Sequence, residues 1–249
     1  MSSVVNGSGT NIGKRWLRED YAASSVTLAK KLLGRILVRV LDGELLAGRI
    51  VETEAYCGVR DAASHAYRGR RTERNEAMYD APGTAYVYFT YGMHYCMNVV
   101  CAETGDPHAV LLRALEPLTG IETMRRLRGV HPGKARRALR IPPDRELCSG
   151  PARLCQALAI TRTLNALDMA ESDTLFIAEP APGLALPRPR EILRTPRIGI
   201  DYAGTWAKRP MRFLISGSGH VSRAPVVNGA PRPNPARRTR RPAPLRKKP

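Results

Sequence analysis

The chain has 249 residues, with 40 Lys and Arg against 22 Asp and Glu, a net charge of +18 and 43% hydrophobic residues. That length and apolar content suit one folded domain, and the charge draws the chain toward polyanions, nucleic acid first, with RNA or an anionic membrane surface as competitors. No stretch approaches the roughly 20 apolar residues that span a bilayer, and the start, MSSVVNGSGTNIGKRW, lacks a signal peptide's apolar core.

In chain order, residues 1–17 are polar and Gly/Ser-rich and are expected to form a flexible arm. TLAKKLLGRILVRVL begins as an amphipathic helix and becomes a strand after Gly34. Asp42-Gly43 predicts a hairpin turn into LLAGRIVETEAY, a second strand. TAYVYFTYGMHYCMNVV predicts two strands meeting near Tyr91-Gly92, and HAVLLRALEP another strand. ETMRRLRG and GPARLCQALAI have helical period, the latter opened by Gly150-Pro151. PAPGLALPRPRE is a loop and RPMRFLISG a closing strand. Helices and strands mix without regular alternation, so the fold class is α+β, in a single domain over 18–225. The tail, 226–249, holds eight Lys/Arg, six Pro and no acid, and it is expected to be disordered. It supplies +8 of the +18, so the body is basic without it.

Five cysteines, an odd count without CxxC, predict reduced thiols and a cytoplasmic setting. Cys148 and Cys155 have no nearby His, which makes a poor zinc site. Motifs for nucleotide hydrolysis, zinc proteolysis and the α/β-hydrolase reaction are absent from the sequence.

Glu52 and Glu54 stand two apart on a strand and share a face. Paired carboxylates can hydrolyse a glycosidic bond, although a solvated strand face explains most Glu-x-Glu pairs. Here an apolar strand runs into Tyr56 and then a polar loop with Asp61 and His65, a setting that tunes a carboxylate. Tyr86, Tyr88, Phe89, Tyr91 and Tyr95, with Met93 and His94, form a dense aromatic group. Phe89 and Tyr95 suit core packing; the others suit base stacking, with Tyr91 as a wedge beside Gly92. Arg113, alone in an apolar strand, needs a partner among Glu52, Glu54 and Glu116. The basic residues from Arg125 to Arg153 suit phosphate contacts.

Six segments taken together resemble the alkyladenine (3-methyladenine) DNA glycosylase family: GRIVETEAY, the spaced SHA, RG, T and RN of residues 64–75, PGTAYVYFTYGMHYCMNVV, LLRALEPLTGIETM, ELCSGPARLCQALAI and RIGIDYAGTWAKRPMRFLISG. The resemblance runs from about Tyr21 to Ser222. It implies a curved antiparallel sheet with a β-hairpin that enters the DNA minor groove. It also implies Glu54 as general base and Arg113 as a holder of the attacking water, which the backbone carbonyl of Ile198 also contacts. Tyr56, His65 and Tyr88 would hold the flipped base, and Asn98 would crowd a guanine amino group. Tyr91 would intercalate with Met93 beside it, and Arg128 would contact a phosphate. The expected partner is double-stranded DNA with damaged purines, bound by a monomer, with no metal, cofactor or membrane. Two departures stand out. His94 occupies a place where some members carry a second hairpin tyrosine, and CAETGDPHA, ending at Ala109, is unusual in length and content. A non-catalytic nucleic-acid-binding protein, or a glycosidase acting on free nucleosides, are the other readings of the same residues.

Overall fold

The computed structural model describes residues 4–5, 11–90, 92–129 and 142–224. Tyr91, the basic positions between 130 and 141 and the tail from 225 onward lie outside the described residues. The strands are β1 (Val4–Val5), β2 (Asn11–Ile12), β3 (Ile36–Leu41), β4 (Glu44–Cys57), β5 (Thr84–Thr90), β6 (His94–Cys101), β7 (His108–Thr119), β8 (Leu167–Asp168), β9 (Leu175–Ala178), β10 (Ile192–Thr195) and β11 (Arg212–Ile215). The helices are α1 (Arg18–Tyr21), α2 (Ser25–Lys31), α3 (Ile121–Gly129), α4 (Asp144–Leu147) and α5 (Pro151–Ala157).

β1 and β2 pair apart from the rest. The other nine strands form one curled antiparallel sheet in the order β10-β11-β4-β7-β6-β5-β8, with β3 on β4 and β9 on β3. The fold is thus α+β with few helices.

Local chemistry sets most of these elements. Ser24 caps α2, its hydroxyl accepting from the Thr27 amide at 3.3 Å, and Lys30 and Lys31 close the last turn. Asp42 and Gly43 both take left-handed backbone (φ +49° and +80°), the two-residue turn that matches strand twist. Pro151 opens α5 as expected, but the helix stops at Ala157 because the chain turns left-handed at Ala159. The start of the folded body also differs from expectation. Trp16, assigned by composition to the arm, is buried edge-on against Tyr21 and donates its indole N–H to Glu179 at 2.8 Å. One large aromatic with a buried partner outweighs the polar residues around it.

β4 positions the site. Along one edge it pairs with β7 from Ala47 to Cys57. Along the other it pairs first with β3, from Glu44 to Arg49, and then with β11, from Glu52 to Glu54. The β4–β7 ladder is offset at Val51 on one strand and at Arg113 on the other, each an extra residue in a bulge. The offsets set the faces. Ile50 and Ala55 of β4, with Val110, Leu112 and Leu115 of β7, enter the main apolar core beneath α2, α4 and α5. Glu52, Glu54 and Tyr56, with Ala109, Leu111 and Arg113, lie on the opposite face.

Candidate active site

On that opposite face is a cavity of about 310 Å³, lower in the range of small-ligand sites. Tyr56, His65, Tyr88, Asn98, Arg113 and Ile198, six of the residues singled out in the sequence, all line it. They come from β4, the 61–65 loop, β5, β6, β7 and the segment after β10, so no local pattern assembles them.

Glu54 has no exposed surface and is not itself part of the lining; it lies behind three residues that are, Tyr56, Arg113 and Ile198. Its Oε1 accepts the Ile198 amide N–H at 2.8 Å. Its Oε2 accepts the Tyr56 hydroxyl at 3.0 Å and faces Arg113 Nη1 at 3.3 Å. Burial, and then the nearby Glu54 charge, push the Tyr56 phenol well above its ordinary value, so it keeps its proton and donates. Ile198 thus meets the carboxylate through its amide N–H, not through the carbonyl that the resemblance assigns to the water.

Glu52, equally buried, has a different task. Its Oε1 accepts Arg113 Nε at 3.0 Å, Arg212 Nε at 2.7 Å and the Ser222 hydroxyl at 2.7 Å, while Oε2 accepts the Ser222 amide. Burial works against its charge, but Arg113, Arg212 and the Ser222 amide more than offset this and hold the carboxyl below its usual range. Arg113 thus bridges both acids, and its charged form is favoured by Glu54 and Glu52 against the cost of burial. Glu116, the third candidate partner, pairs with Arg49 instead, at 3.7 Å.

The aromatic wall is built on β5. Tyr86 and Tyr88 stack at 5.3 Å, and His65 meets Tyr88 edge-on at 4.6 Å. His65 Nδ1 shares a 2.8 Å hydrogen bond with the Tyr86 hydroxyl. Burial, with Arg74 and Arg70 nearby, lowers His65 to about 4, so the ring is neutral at pH 7. Asn98 donates to the Tyr86 carbonyl at 3.3 Å on the cavity floor, beside buried Ala109. Within the unusual 101–109 segment, the 102–107 turn between β6 and β7 is held by the Gly105 amide, which donates to the Tyr79 carbonyl at 2.9 Å.

Other expected residues stand elsewhere. Met93, 68% exposed, and exposed His94 sit at the β5–β6 tip, where Gly92 takes φ +67°. Phe89, expected in the core, is exposed near that tip, because β5 there has run past the packed body; Tyr86 is the buried aromatic. Arg128 lies on α3, half-buried, and donates to Gln156 of α5. Arg125 is tied to Glu122 and Asp144. All five cysteines are free thiols, four of them buried. Among the described residues no group of three or more His, Cys, Asp or Glu is placed to hold a metal ion, and no helix is long and apolar enough to cross a membrane.

The sequence reading missed Arg212, Ser222 and Arg197. Arg212 carries the signal that found Arg113, a lone arginine in an apolar strand. Asp61, placed in a polar loop, is in fact fully buried in an ion pair with Arg197, 136 residues away.

Comparison with known proteins adds an independent finding. A family model described as methylpurine-DNA glycosylase matches residues 19–219. The DNA-3-methyladenine glycosylase of Homo sapiens is 47% identical over 206 residues, 82% of this chain and 66% of that one. Its Mus musculus counterpart is 48% identical over 206 residues, 82% of this chain and 60% of that one. A protein from Clostridium botulinum (strain Loch Maree) is 43% identical over 208 residues, 84% of this chain and 98% of that one. The chain therefore spans slightly less than two thirds of the mammalian relatives it matches.

Proposed function

The chain belongs to the methylpurine-DNA glycosylase family, and from that premise we propose that it hydrolyses the N-glycosidic bond of damaged purines in double-stranded DNA, leaving an abasic site. The observation that carries this reading is Glu54, a fully buried carboxylate held by Ile198, Tyr56 and Arg113 behind an aromatic cavity.

A stacked base hides its glycosidic bond, so the nucleotide is flipped out, at a cost of a few kcal/mol that is smallest at a damaged pair. Tyr91 takes the vacated place in the stack, and Met93 and His94 flank it. Tyr56, Tyr88 and His65 receive the base. Their π faces favour a positively charged purine such as 3-methyladenine or 7-methylguanine. Neutral His65 adds no repulsion and offers Nε2 to hypoxanthine or ethenoadenine. Asn98 restricts purines with an exocyclic 2-amino group.

Glu54 takes a proton from water as the water oxygen bonds to C1′. The glycosidic electrons leave with the base, and the carboxylate's charge steadies the oxocarbenium-like sugar. Arg113 and the Ile198 backbone position the water. Among the described residues no lysine lines the cavity to form a Schiff base, and the reading is a monofunctional enzyme that does not nick the strand. Arg128 and the basic tail add phosphate contacts. The protein works as a cytoplasmic monomer without metal or cofactor.

The test uses duplexes with a single hypoxanthine or ethenoadenine, together with methylated genomic DNA, each treated with protein and then alkali. Strand breaks that depend on Glu54 are expected. Absence of breaks on every lesion overturns the activity, and breaks that persist in Glu54→Gln overturn the role of Glu54.

A further inference from the structure

Behind the cavity wall lies an ion pair that the chemistry above does not use. Arg197 and Asp61 have side chains with no exposed surface, joined by two hydrogen bonds of 2.6 and 2.8 Å. A buried pair of this kind adds little net stability, because desolvation offsets most of the attraction. What it holds is specific. Arg197 Nη1 also donates to the carbonyl of Ala55 at 2.8 Å, the residue between Glu54 and Tyr56. Its guanidinium sits 4.6 Å from the centre of the Tyr56 ring. The next residue in the chain, Ile198, gives Glu54 its amide hydrogen bond. Asp61 accepts the amides of Cys57 and Ala63, at 3.0 Å each, and so fixes the end of β4 and the loop leading to His65.

We propose that Asp61 and Arg197 are positioning residues that clamp the Ile198 amide and the Tyr56 hydroxyl onto Glu54, and so aim the carboxylate at the water. The inference rests on Glu54 being the general base. Two of the three donors to Glu54 are fixed through this pair; the third, Arg113, is fixed separately by Glu52 and Ser222. Small displacements of reacting groups cost on the order of 100-fold in rate.

The test is a double-mutant cycle on the full chain. Arg197→Lys keeps the charge but loses the two-point grip; Asp61→Asn keeps the shape and loses the charge. Single-turnover excision and lesion-duplex affinity are measured for wild type, each variant, Glu54→Gln, and each variant combined with Glu54→Gln. Methylated DNA serves as substrate, because its cationic bases leave readily enough to give the Glu54→Gln proteins a measurable rate. Each single variant is expected to excise at least about 10-fold more slowly while binding the lesion duplex within about threefold of wild type. Placed on Glu54→Gln, the same substitutions are expected to change the rate by less than about threefold. An equal loss in both backgrounds, a parallel loss of binding, or wild-type rates overturns the proposal. If Arg197→Lys does not fold, Asp61→Asn decides alone. If wild type excises nothing, the activity itself fails, and this inference with it.

Discussion

The two faces of β4 both bury their side chains but are built from opposite materials. On one, Leu46, Ile50 and Ala55 pack into the apolar core with Leu112 and Phe213. On the other, Glu52, Glu54, Arg113 and Arg212 are buried as ions. The apolar face gains free energy roughly in proportion to area removed from water. The ionic face gains little in net terms, because desolvation cancels most of the Coulomb attraction. The contrast separates two jobs that share one strand, with the core side holding the fold and the ionic side holding a carboxylate in place.

The largest expected effect tests that division directly. Glu54→Gln should slow single-turnover excision by about 10²- to 10⁴-fold, and because Gln keeps the shape and Arg113 keeps Glu52, it should move the urea midpoint less than loss of a whole ionic side chain does; a variant that unfolds would merge the two jobs. Arg212→Met should do the reverse in part. It leaves Glu52 with Arg113 as its remaining guanidinium, and removing one partner of a buried pair costs about 3–5 kcal/mol, read by urea unfolding. Leu112→Ala should cost about 2–5 kcal/mol through the cavity it leaves, while the folded fraction excises at the wild-type rate.

Acid should probe the cavity side of β4 and the aromatic wall that faces it. His65 is near 6.5 when unfolded and about 4 when folded, so between those values the unfolded chain binds a proton that the native protein refuses. Stability therefore falls as pH drops through that window, and His65→Asn should flatten the slope. Glu52, held low in the native state, adds a further loss at still lower pH. The smallest effect should come from removing residues 225–249. Excision at saturating DNA should stay unchanged, while the salt dependence of duplex binding loses up to about 7 in log–log slope, if all eight tail cations meet phosphates.

The elements of the sheet that repeat a local signal were legible in sequence. The Asp42-Gly43 hairpin, the β5–β6 pair, the strand of Arg113 and the Pro151 start of α5 stand where pattern and turn chemistry put them. Arg113 was legible as a residue needing a carboxylate, and two of its three candidate partners are the ones it touches. The bulges at Val51 and Arg113 were not, because an offset of one residue leaves no mark on hydrophobic alternation yet decides which side chains meet the cavity. Asp61 with Arg197 was illegible for another reason. Each looks like a surface charge in its own segment, and only the return of the chain after β10 brings them together.

Ser222 has a consequence for how the protein is made. It binds Glu52 across 170 residues of sequence. At synthesis rates of roughly 5–20 residues per second, Glu52 leaves the ribosome some 10 to 30 s before the serine that completes its hydrogen bonds. β3 and β4 can pair early, since two residues join them. The charge balance beneath the cavity must wait until nearly the whole described chain has emerged. Competence for chemistry is therefore acquired last, after the scaffold that carries it. It also marks where the protein can be shortened: a cut after Ala224 spares the network, and a cut before Ser222 leaves it open.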